Sequence, residues 1–170
     1  MAMPTIRELT PQDDFDEVGR IYAESWKASY RGIVPQAYLN KLTHDRWSAM
    51  LRADPSASLG LFLDGVPVGT SCVCFARDPQ RVGWGEIVSI YLLPEHTGRG
   101  HGKALMAAAL HKLKNEGCTD VCLWALTQNV RAEGFYAHMG FSRTGRTMRE
   151  AFGGSELELT EFGLRFGREA

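Results

Sequence analysis

The sequence predicts an α/β domain, in the α+β sense, with about four helices on a mixed, mostly antiparallel sheet of about seven strands. Asp64-Gly65 separates two apolar runs, which is typical of an antiparallel hairpin. Residues 86–126 form a strand–helix–strand unit, and such a unit joins parallel strands through a right-handed crossover. The length of 170 residues is typical of one domain, so a single domain is expected over 1–170.

The amino-terminal third is predicted to hold one short strand and two helical regions. Residues 5–9 (TIREL) predict the strand. Thr10-Pro11 with an acid at Asp13 is typical of a helix start, and apolar residues then recur at helical spacing as far as Trp26. A second helical region is expected at about 35–51.

The rest of the chain continues the alternation of strands and helices. The helix at 100–115 is expected to end near Gly117, a typical carboxyl-terminal cap. The other predicted elements are strands at 86–92 and 121–126, a short helix at 130–139, and strands near 142–148 and 156–166. An unpaired edge at 156–166 would favour a homodimer.

Composition excludes several classes of protein. A formal net charge of −1 argues against a nucleic-acid-binding protein, which normally carries a basic excess. The sequence contains no apolar run of the roughly 20 residues that span a bilayer, and MAMPTIRELT lacks the apolar core of a signal peptide. A cytoplasmic protein is therefore expected. The cysteines are interpreted as small buried hydrophobes rather than metal ligands, because zinc-site spacing is missing: Cys72, Cys74, Cys118 and Cys122.

A dense group of glycines opens the predicted helix at 100–115. Gly98, Gly100 and Gly102 lack side chains where helix N–H groups are unpaired and the helix dipole is positive, so an anion could approach the backbone closely. Arg99 and Lys103 add positive charge. A phosphate or pyrophosphate is the expected guest, and a plain tight turn with a glycine-rich cap is the alternative.

Two familiar nucleotide-binding patterns do not fit this loop. A Walker P-loop would need glycine where Thr97 stands and serine or threonine where Ala104 stands, which disfavours a nucleotide-dependent kinase. A dinucleotide fingerprint would need glycine or alanine at Lys103. The remaining interpretation is a cofactor whose diphosphate lies at the loop while the rest follows the preceding strand.

These residues resemble the GNAT superfamily of acetyl-CoA-dependent N-acetyltransferases. The family's loop, [Gln/Arg]-x-x-Gly-x-[Gly/Ala], falls on residues 97–102, after a strand (EIVSIYLLPEH) that also resembles the family's. Residues 129–141 (NVRAEGFYAHMGF) match the pattern Asn-x-x-Ala-x-x-Phe-Tyr-x-x-x-Gly-Phe. The resemblance is strong over about 85–141. Thr97 departs from the usual Gln or Arg, which removes a side-chain contact to the diphosphate but leaves the backbone donors.

The resemblance implies a single GNAT-like domain with a splayed parallel pair of strands at the centre of its sheet. It implies acetyl-CoA as co-substrate, no metal, and an amine acceptor that is a small molecule or a peptide. Asn129 would bond the pantetheine arm, or would simply cap the next helix. The implied cofactor-binding residues are Ile90, Tyr91 and Leu92 along the arm, and Gly98, Arg99, Gly100, His101, Gly102 and Lys103 around the diphosphate.

Acetyl transfer to an amine needs a base, an acid and a donor to the developing oxyanion. Tyr136 occupies the family's tyrosine position and would protonate the leaving thiolate; its alternative role is packing beside Phe135. Glu86 is the candidate base, directly or through water, because two-residue alternation places it on the same side of its strand as Val88 and Ile90. The alternative is a solvent-facing carboxylate at the strand edge. Other family members carry the base on the next strand, where Trp124 stands here.

The acceptor is expected beneath the amino-terminal helices. Trp26 and Tyr30, within the aromatic segment 25–39, would form one wall of this pocket and Trp84 another. The function predicted is an N-acetyltransferase for a primary amine. The alternative from another class is a CoA-binding sensor or interaction module of the same fold that does not turn over. The sequence leaves the acceptor open among aminoglycosides, polyamines, amino acids and protein amino termini.

Overall fold

The computed structural model describes residues 3–167 and contains one sheet with helices on both faces. The strands are β1 (Thr5–Glu8), β2 (Ser58–Leu63), β3 (Val66–Phe75), β4 (Gly85–Leu92), β5 (Asp120–Leu126), β6 (Ser142–Phe152) and β7 (Ser155–Arg165). The α-helices are α1 (Phe15–Ser29), α2 (Gln36–Leu39), α3 (Asp45–Ala53), α4 (His101–Asn115) and α5 (Val130–His138).

The seven strands lie in the order β1-β2-β3-β4-β5-β7-β6. Neighbours are antiparallel except β4 and β5, which are parallel, as the crossover at 86–126 predicted. This parallel pair is joined only at Gly85–Val121 and Glu86–Cys122. Beyond Glu86 the two strands diverge, so a fork opens in the middle of the sheet. The prediction of a mixed sheet with a splayed central pair is confirmed.

The edges of the sheet are not where the sequence suggested. β7 pairs with β5 on one side and with β6 on the other. The tail strand predicted at 156–166 is therefore interior, and the argument for a homodimer through its unpaired edge is wrong. The strands at the two edges are β1 and β6.

The sheet separates two apolar cores. On one face, α4 packs Leu105, Met106 and Leu113 against Ile87 and Val121. On the other face, the buried residues come from α1, α2, α3 and the sheet: Val18, Tyr22, Leu39, Trp47, Leu51, Leu126 and Leu159. The fork between β4 and β5 therefore lies between two packed cores.

The hairpin turn predicted at Asp64-Gly65 is confirmed, whereas the predicted bounds of the first helices are not. The hairpin turn pairs Leu63 with Val66, and Asp64 (φ 48°) and Gly65 (φ 79°) are left-handed, as its tight turn requires. Helix α1 begins at Phe15 rather than beside Thr10, because the Asp14 carboxylate caps the N–H groups of the first turn. The helical region expected at 35–51 is two helices, α2 and α3.

A β-bulge interrupts β4 at Val88. Across the ladder, Ile87 lies opposite Val73 and Ser89 lies opposite Cys72, so Val88 has no partner on β3. A bulge adds one residue to one strand and bends it locally. This bend lies where β4 begins to part from β5.

The bulge also changes which side chains share a face. Because Val88 is extra, Glu86, Ser89 and Tyr91 point toward α1, whereas Ile87 and Ile90 point toward α4. The prediction that Glu86 lies on the same side as Ile90 is therefore wrong. Two-residue alternation could not show this, since it assumes an unbroken ladder.

Within residues 3–167, no helix is long and apolar enough to cross a bilayer. Over the same residues, no three His, Cys, Asp or Glu side chains are grouped so as to hold a metal ion. Cys118 and Cys122 are buried and Cys72 and Cys74 half-buried, and all four are free thiols.

Candidate active site

A cleft of about 490 Å³ opens at the splayed ends of β4 and β5. Its walls are the carboxyl-terminal part of α1, the end of β4, the glycine loop and one face of α5. The lining residues from the loop and β4 include Ile90, Tyr91, Leu92, Thr97, Gly98, Gly100, Gly102 and Lys103. The glycine loop and the predicted β4 residues are thus brought together around one cleft.

The loop has the geometry of an anion site. Gly98 (φ 73°) and Gly100 (φ 84°) are left-handed, and a Cβ at either would meet no atom within 4 Å. The N–H of Ala104 bonds the carbonyl of Gly100 at 3.1 Å and begins the α4 ladder. The N–H groups before Ala104 have no partner within the helix, and they are free for a phosphate. This loop therefore fits the diphosphate that the sequence predicted.

Not every predicted loop side chain faces the cleft. Lys103 does, whereas Arg99 and His101 are absent from its lining. The His101 ring instead lies 6.4 Å from that of His96. Thr97, which replaces the family's Gln or Arg, donates its hydroxyl to the Pro94 carbonyl at 2.8 Å. This bond stabilises the turn before the loop.

The end of β4 presents a main-chain edge to the cleft. Past Glu86 this edge has no β5 partner, and Ile90, Tyr91 and Leu92 line the opening. Ser25 of α1 donates to the Leu92 carbonyl at 2.5 Å. A carbonyl has two lone pairs, so it can still accept from an extended arm lying along the strand.

Asn129 caps the next helix and also lies at the cleft. Its side chain accepts from the Ala132 N–H at 3.2 Å, which caps α5. It also lines the cleft. The cap aims the first turn of α5, and with it Tyr136 one turn further, at the fork.

A second, smaller cavity of about 30 Å³ lies deeper, between the diverging strands. Tyr30, Ile90, Tyr91, Asn129 and Tyr136 line both this inner cavity and the outer cleft. The inner cavity is therefore the continuation of the cleft into the sheet. Its remaining lining is Ile87, Val88, Ser89, Leu123, Trp124 and Ala125.

Three tyrosines surround the inner cavity. The Tyr136 ring packs on Phe162 at 5.7 Å between ring centroids, and burial raises the pKa of its phenol above the usual value. The hydroxyls of Tyr30 and Tyr91 are 3.1 Å apart, and burial raises the pKa of each. All three phenols therefore remain protonated at neutral pH and can donate hydrogen bonds.

Glu86, the base expected from the sequence, lies outside both cavities. Its carboxylate is buried at the closed end of the fork and lines neither cavity. Arg77 holds it with Nη2 at 2.6 Å, Nε at 3.2 Å and the main-chain N–H at 3.1 Å. A carboxylate that accepts three bonds from Arg77 and lies outside both cavities has the surroundings of a structural ion pair.

The predicted aromatic walls are only partly correct. Tyr30 lines both cavities. Trp26 lies behind Tyr30, with ring centroids 4.9 Å apart, and supports it without lining either cavity. Trp84 lies at the closed end of the fork, beneath the guanidinium of Arg81 at 4.4 Å, so its assignment to the pocket is wrong.

Sequence reasoning missed several residues of the cleft. Ser25 and Ser29 approach from α1, and Arg131 and His138 from α5. Arg131 and His138 lie seven positions apart with Phe135 between them, which is the spacing of one helix face. Helical periodicity applied to the 129–141 motif would have found them.

Comparison with known sequences identifies a family and named relatives. A family model described as Acetyltransferase (GNAT) family matches residues 16–141. The uncharacterized N-acetyltransferase YuaI of Bacillus subtilis is 28% identical over 75% of this chain and 74% of its own length. The spermidine N(1)-acetyltransferase of Thermoplasma acidophilum is 27% identical over 80% of this chain and 86% of its own. The aminoglycoside N(6')-acetyltransferase type 1 of Stenotrophomonas maltophilia is 27% identical over 86% and 92%.

Two solved structures that contain coenzyme A or acetyl-CoA share this fold. PaiA N-acetyltransferase from Thermoplasma acidophilum, in complex with coenzyme A, has a TM-score of 0.71 and 22% identity, over 96% of this chain and 99% of that one. YncA from Salmonella typhimurium, with acetyl-CoA, has a TM-score of 0.73 and 21% identity, over 98% and 96%. The present chain belongs to the acetyltransferase (GNAT) family and is an acyltransferase.

Proposed function

We propose that this protein transfers the acetyl group of acetyl-CoA to a primary amine at the fork between β4 and β5. One observation carries the proposal. A cleft with a phosphate-binding helix start at one end narrows into a cavity beside a buried tyrosine hydroxyl at the other. This is the arrangement that a long phosphorylated carrier with a reactive tip requires.

The residues present fit the carrier along its length. N–H groups at the start of α4, together with Lys103, would hold the diphosphate. The unpaired edge of β4 at Ile90, Tyr91 and Leu92 would bond the pantetheine amides as a further strand does. Arg131 lines the same cleft and adds a second positive charge. With these contacts, the tip of acetyl-CoA would reach the inner cavity.

Tyr136 is the proposed acid. When bound, acetyl-CoA supplies a thioester that an amine can attack and a thiolate that departs. The Tyr136 phenol keeps its proton because burial raises its pKa. It would donate that proton to the sulfur as the C–S bond breaks, and the phenolate would then regain a proton from solvent, to which the amine has released one.

The base is proposed to be water rather than a side chain. Neither cavity has a carboxylate in its lining. The paired hydroxyls of Tyr30 and Tyr91 lie on the α1 side, where an amine would enter, and can bind its nitrogen before and after the proton leaves. The amine then loses its proton to solvent through this pair.

The acceptor and the location are also proposals. Names of relatives nominate spermidine and aminoglycosides as the first amines to test. We place the enzyme in the cytoplasm, which fits free thiols at all four cysteines. Cell fractionation with an antibody against the chain tests the location.

A panel assay tests the activity directly. Purified protein is incubated with acetyl-CoA and one amine at a time (spermidine, an aminoglycoside, single amino acids and peptide amino termini), and release of the free CoA thiol is followed. Amine-dependent thiol release with an acetylated product in the mass spectrum supports the proposal. Tight CoA binding without release for any amine would instead identify a binding module.

A further inference from the structure

Trp124 stands where the two central strands part. It is two residues beyond Cys122, the last β5 residue paired with β4, and it is among the residues that line the inner cavity. The Trp124 side chain is uncharged, so it cannot take a proton from an amine. The bulk of the indole is therefore its most evident contribution to the site.

The inner cavity is very small for a reaction chamber. Its volume is about 30 Å³, and one water-sized group needs roughly 10–15 Å³ on this measure. There is room for about two such groups. Beyond its carbonyl carbon, an acetyl group has two groups of this size, the oxygen and the methyl. Every longer acyl chain has more.

Charged groups pack beside Trp124 and restrict the space into which it could move. Directly across the β5–β7 ladder lies Glu161, whose side chain is completely buried. The guanidinium of Arg146 lies 5.7 Å from the centre of the indole ring. The neighbouring space is thus already filled by charged groups.

These charged groups form a tight cluster, which we call the Glu161 cluster: Arg81, Asp78, Thr144, Arg146 and Glu161. Arg146 donates to Glu161 at 3.1 Å and to Asp78 at 2.5 Å. Thr144 donates to Glu161 at 2.6 Å, and Arg81 holds both oxygens of the same carboxylate. Removing one partner from a buried ion pair leaves an uncompensated charge, so such a cluster resists rearrangement.

None of the five residues in the Glu161 cluster lines either cavity, so the cluster has no direct role in the proposed reaction. Its side chains close the space behind Trp124. We infer that Trp124 restricts the acyl donor to acetyl, and that Arg146 is a positioning residue that acts through Trp124. This inference rests on the proposed acetyl transfer and adds the selectivity of the same site for its donor.

The experiment compares two tryptophans. Trp124→Ala and Trp84→Ala are assayed with acetyl-CoA, propionyl-CoA and butyryl-CoA and one fixed amine, and kcat/KM is determined for each donor. Trp84 is the matched control, because it also packs on an arginine of the Glu161 cluster but lies outside both cavities. Circular dichroism and thermal melting confirm that each variant is folded.

A pocket contact commonly discriminates about 10–200-fold per methylene. The wild-type protein is therefore expected to prefer acetyl over butyryl by at least about 100-fold. Trp124→Ala should shift that ratio toward butyryl by more than about tenfold, whereas Trp84→Ala should leave the ratio unchanged. Arg146→Met should shift the ratio in the same direction as Trp124→Ala, by less.

Trp124→Phe keeps aromatic packing and replaces Trp124→Ala in the experiment if the alanine variant does not fold. It should raise the kcat/KM for propionyl-CoA relative to that for acetyl-CoA. An unchanged donor ratio in a folded Trp124 variant overturns the inference, and so does a wild-type enzyme that uses butyryl-CoA as well as acetyl-CoA. Absence of acetyl transfer to every amine would instead contradict the proposed function.

Discussion

The two ends of the β4–β5 pair differ in what their polar groups do. At the closed end, the strands are hydrogen-bonded, Glu86 is held by Arg77, and Trp84 is covered by Arg81. At the open end, main-chain groups lack a strand partner and the Tyr136 phenol faces a cavity. Charge is neutralised at one end, and hydrogen-bonding capacity is left available at the other.

This difference shows that a carboxylate in the right motif can still have a structural role. Glu86 lies on the strand that carries the site, yet it accepts three bonds from Arg77. A base must be able to gain and lose a proton during turnover. The proposed chemistry at the open end is therefore separated from the ion pairs that stabilise the closed end.

Gly100→Leu should have the largest effect at the open end. The side chain would occupy the anion site at the start of α4, so binding of acetyl-CoA should fall by at least about 100-fold, as loss of several amide contacts implies. Isothermal titration calorimetry measures this. Gly117→Leu is the control, because Gly117 ends the same helix with φ 87° and no atom within 4 Å of a Cβ, so it shares the strain but not the site. Equal loss in both variants would show a folding defect, and normal affinity in Gly100→Leu would contradict the anion site.

Tyr136→Phe tests the acid at the inner end of the cleft. Turnover should fall by about 100-fold, the lower range for loss of a general acid, while CoA affinity stays within about twofold. Steady-state kinetics and calorimetry separate the two quantities. Tyr38→Phe is the control, since Tyr38 lines neither cavity. Unchanged kcat in Tyr136→Phe would remove the phenol from the mechanism.

How much of this contrast the sequence predicts depends on whether each feature arises from neighbouring residues or from residues far apart in the chain. The hairpin at Asp64-Gly65 and the glycine loop are local patterns with local causes, and both are confirmed in structure. The bulge at Val88 and the ion pair of Glu86 with Arg77 depend on pairing with β3 and on a neighbouring loop. No spacing within one strand encodes them, so the face of Glu86 was predicted wrongly.

The pH dependence distinguishes a solvent base from a carboxylate. If only neutral amine reacts, kcat/KM should rise about tenfold per pH unit toward the amine's own pKa, near 10.4 for a lysine-like amine. The pKa of Tyr136 is raised, so its phenol stays protonated and the rate should not fall again below about pH 10, the ordinary tyrosine value. A plateau beginning at pH 5–6 would point to a carboxylate base. Profiles with two amines of different pKa should be displaced by that difference.

Glu86→Gln should have the smallest effect on turnover and a clear effect on stability. Gln keeps the shape but loses the charge that faces Arg77, so kcat should change less than about twofold, whereas the free energy of unfolding should fall by about 1–2 kcal/mol. Urea denaturation measures the second quantity and steady-state kinetics the first. Glu95→Gln is the control: Glu95 is an exposed glutamate in the turn after β4 and should change neither. A Glu86→Gln enzyme that is as stable as wild type but about 100-fold slower would return Glu86 to the mechanism and place chemistry at the closed end of the fork.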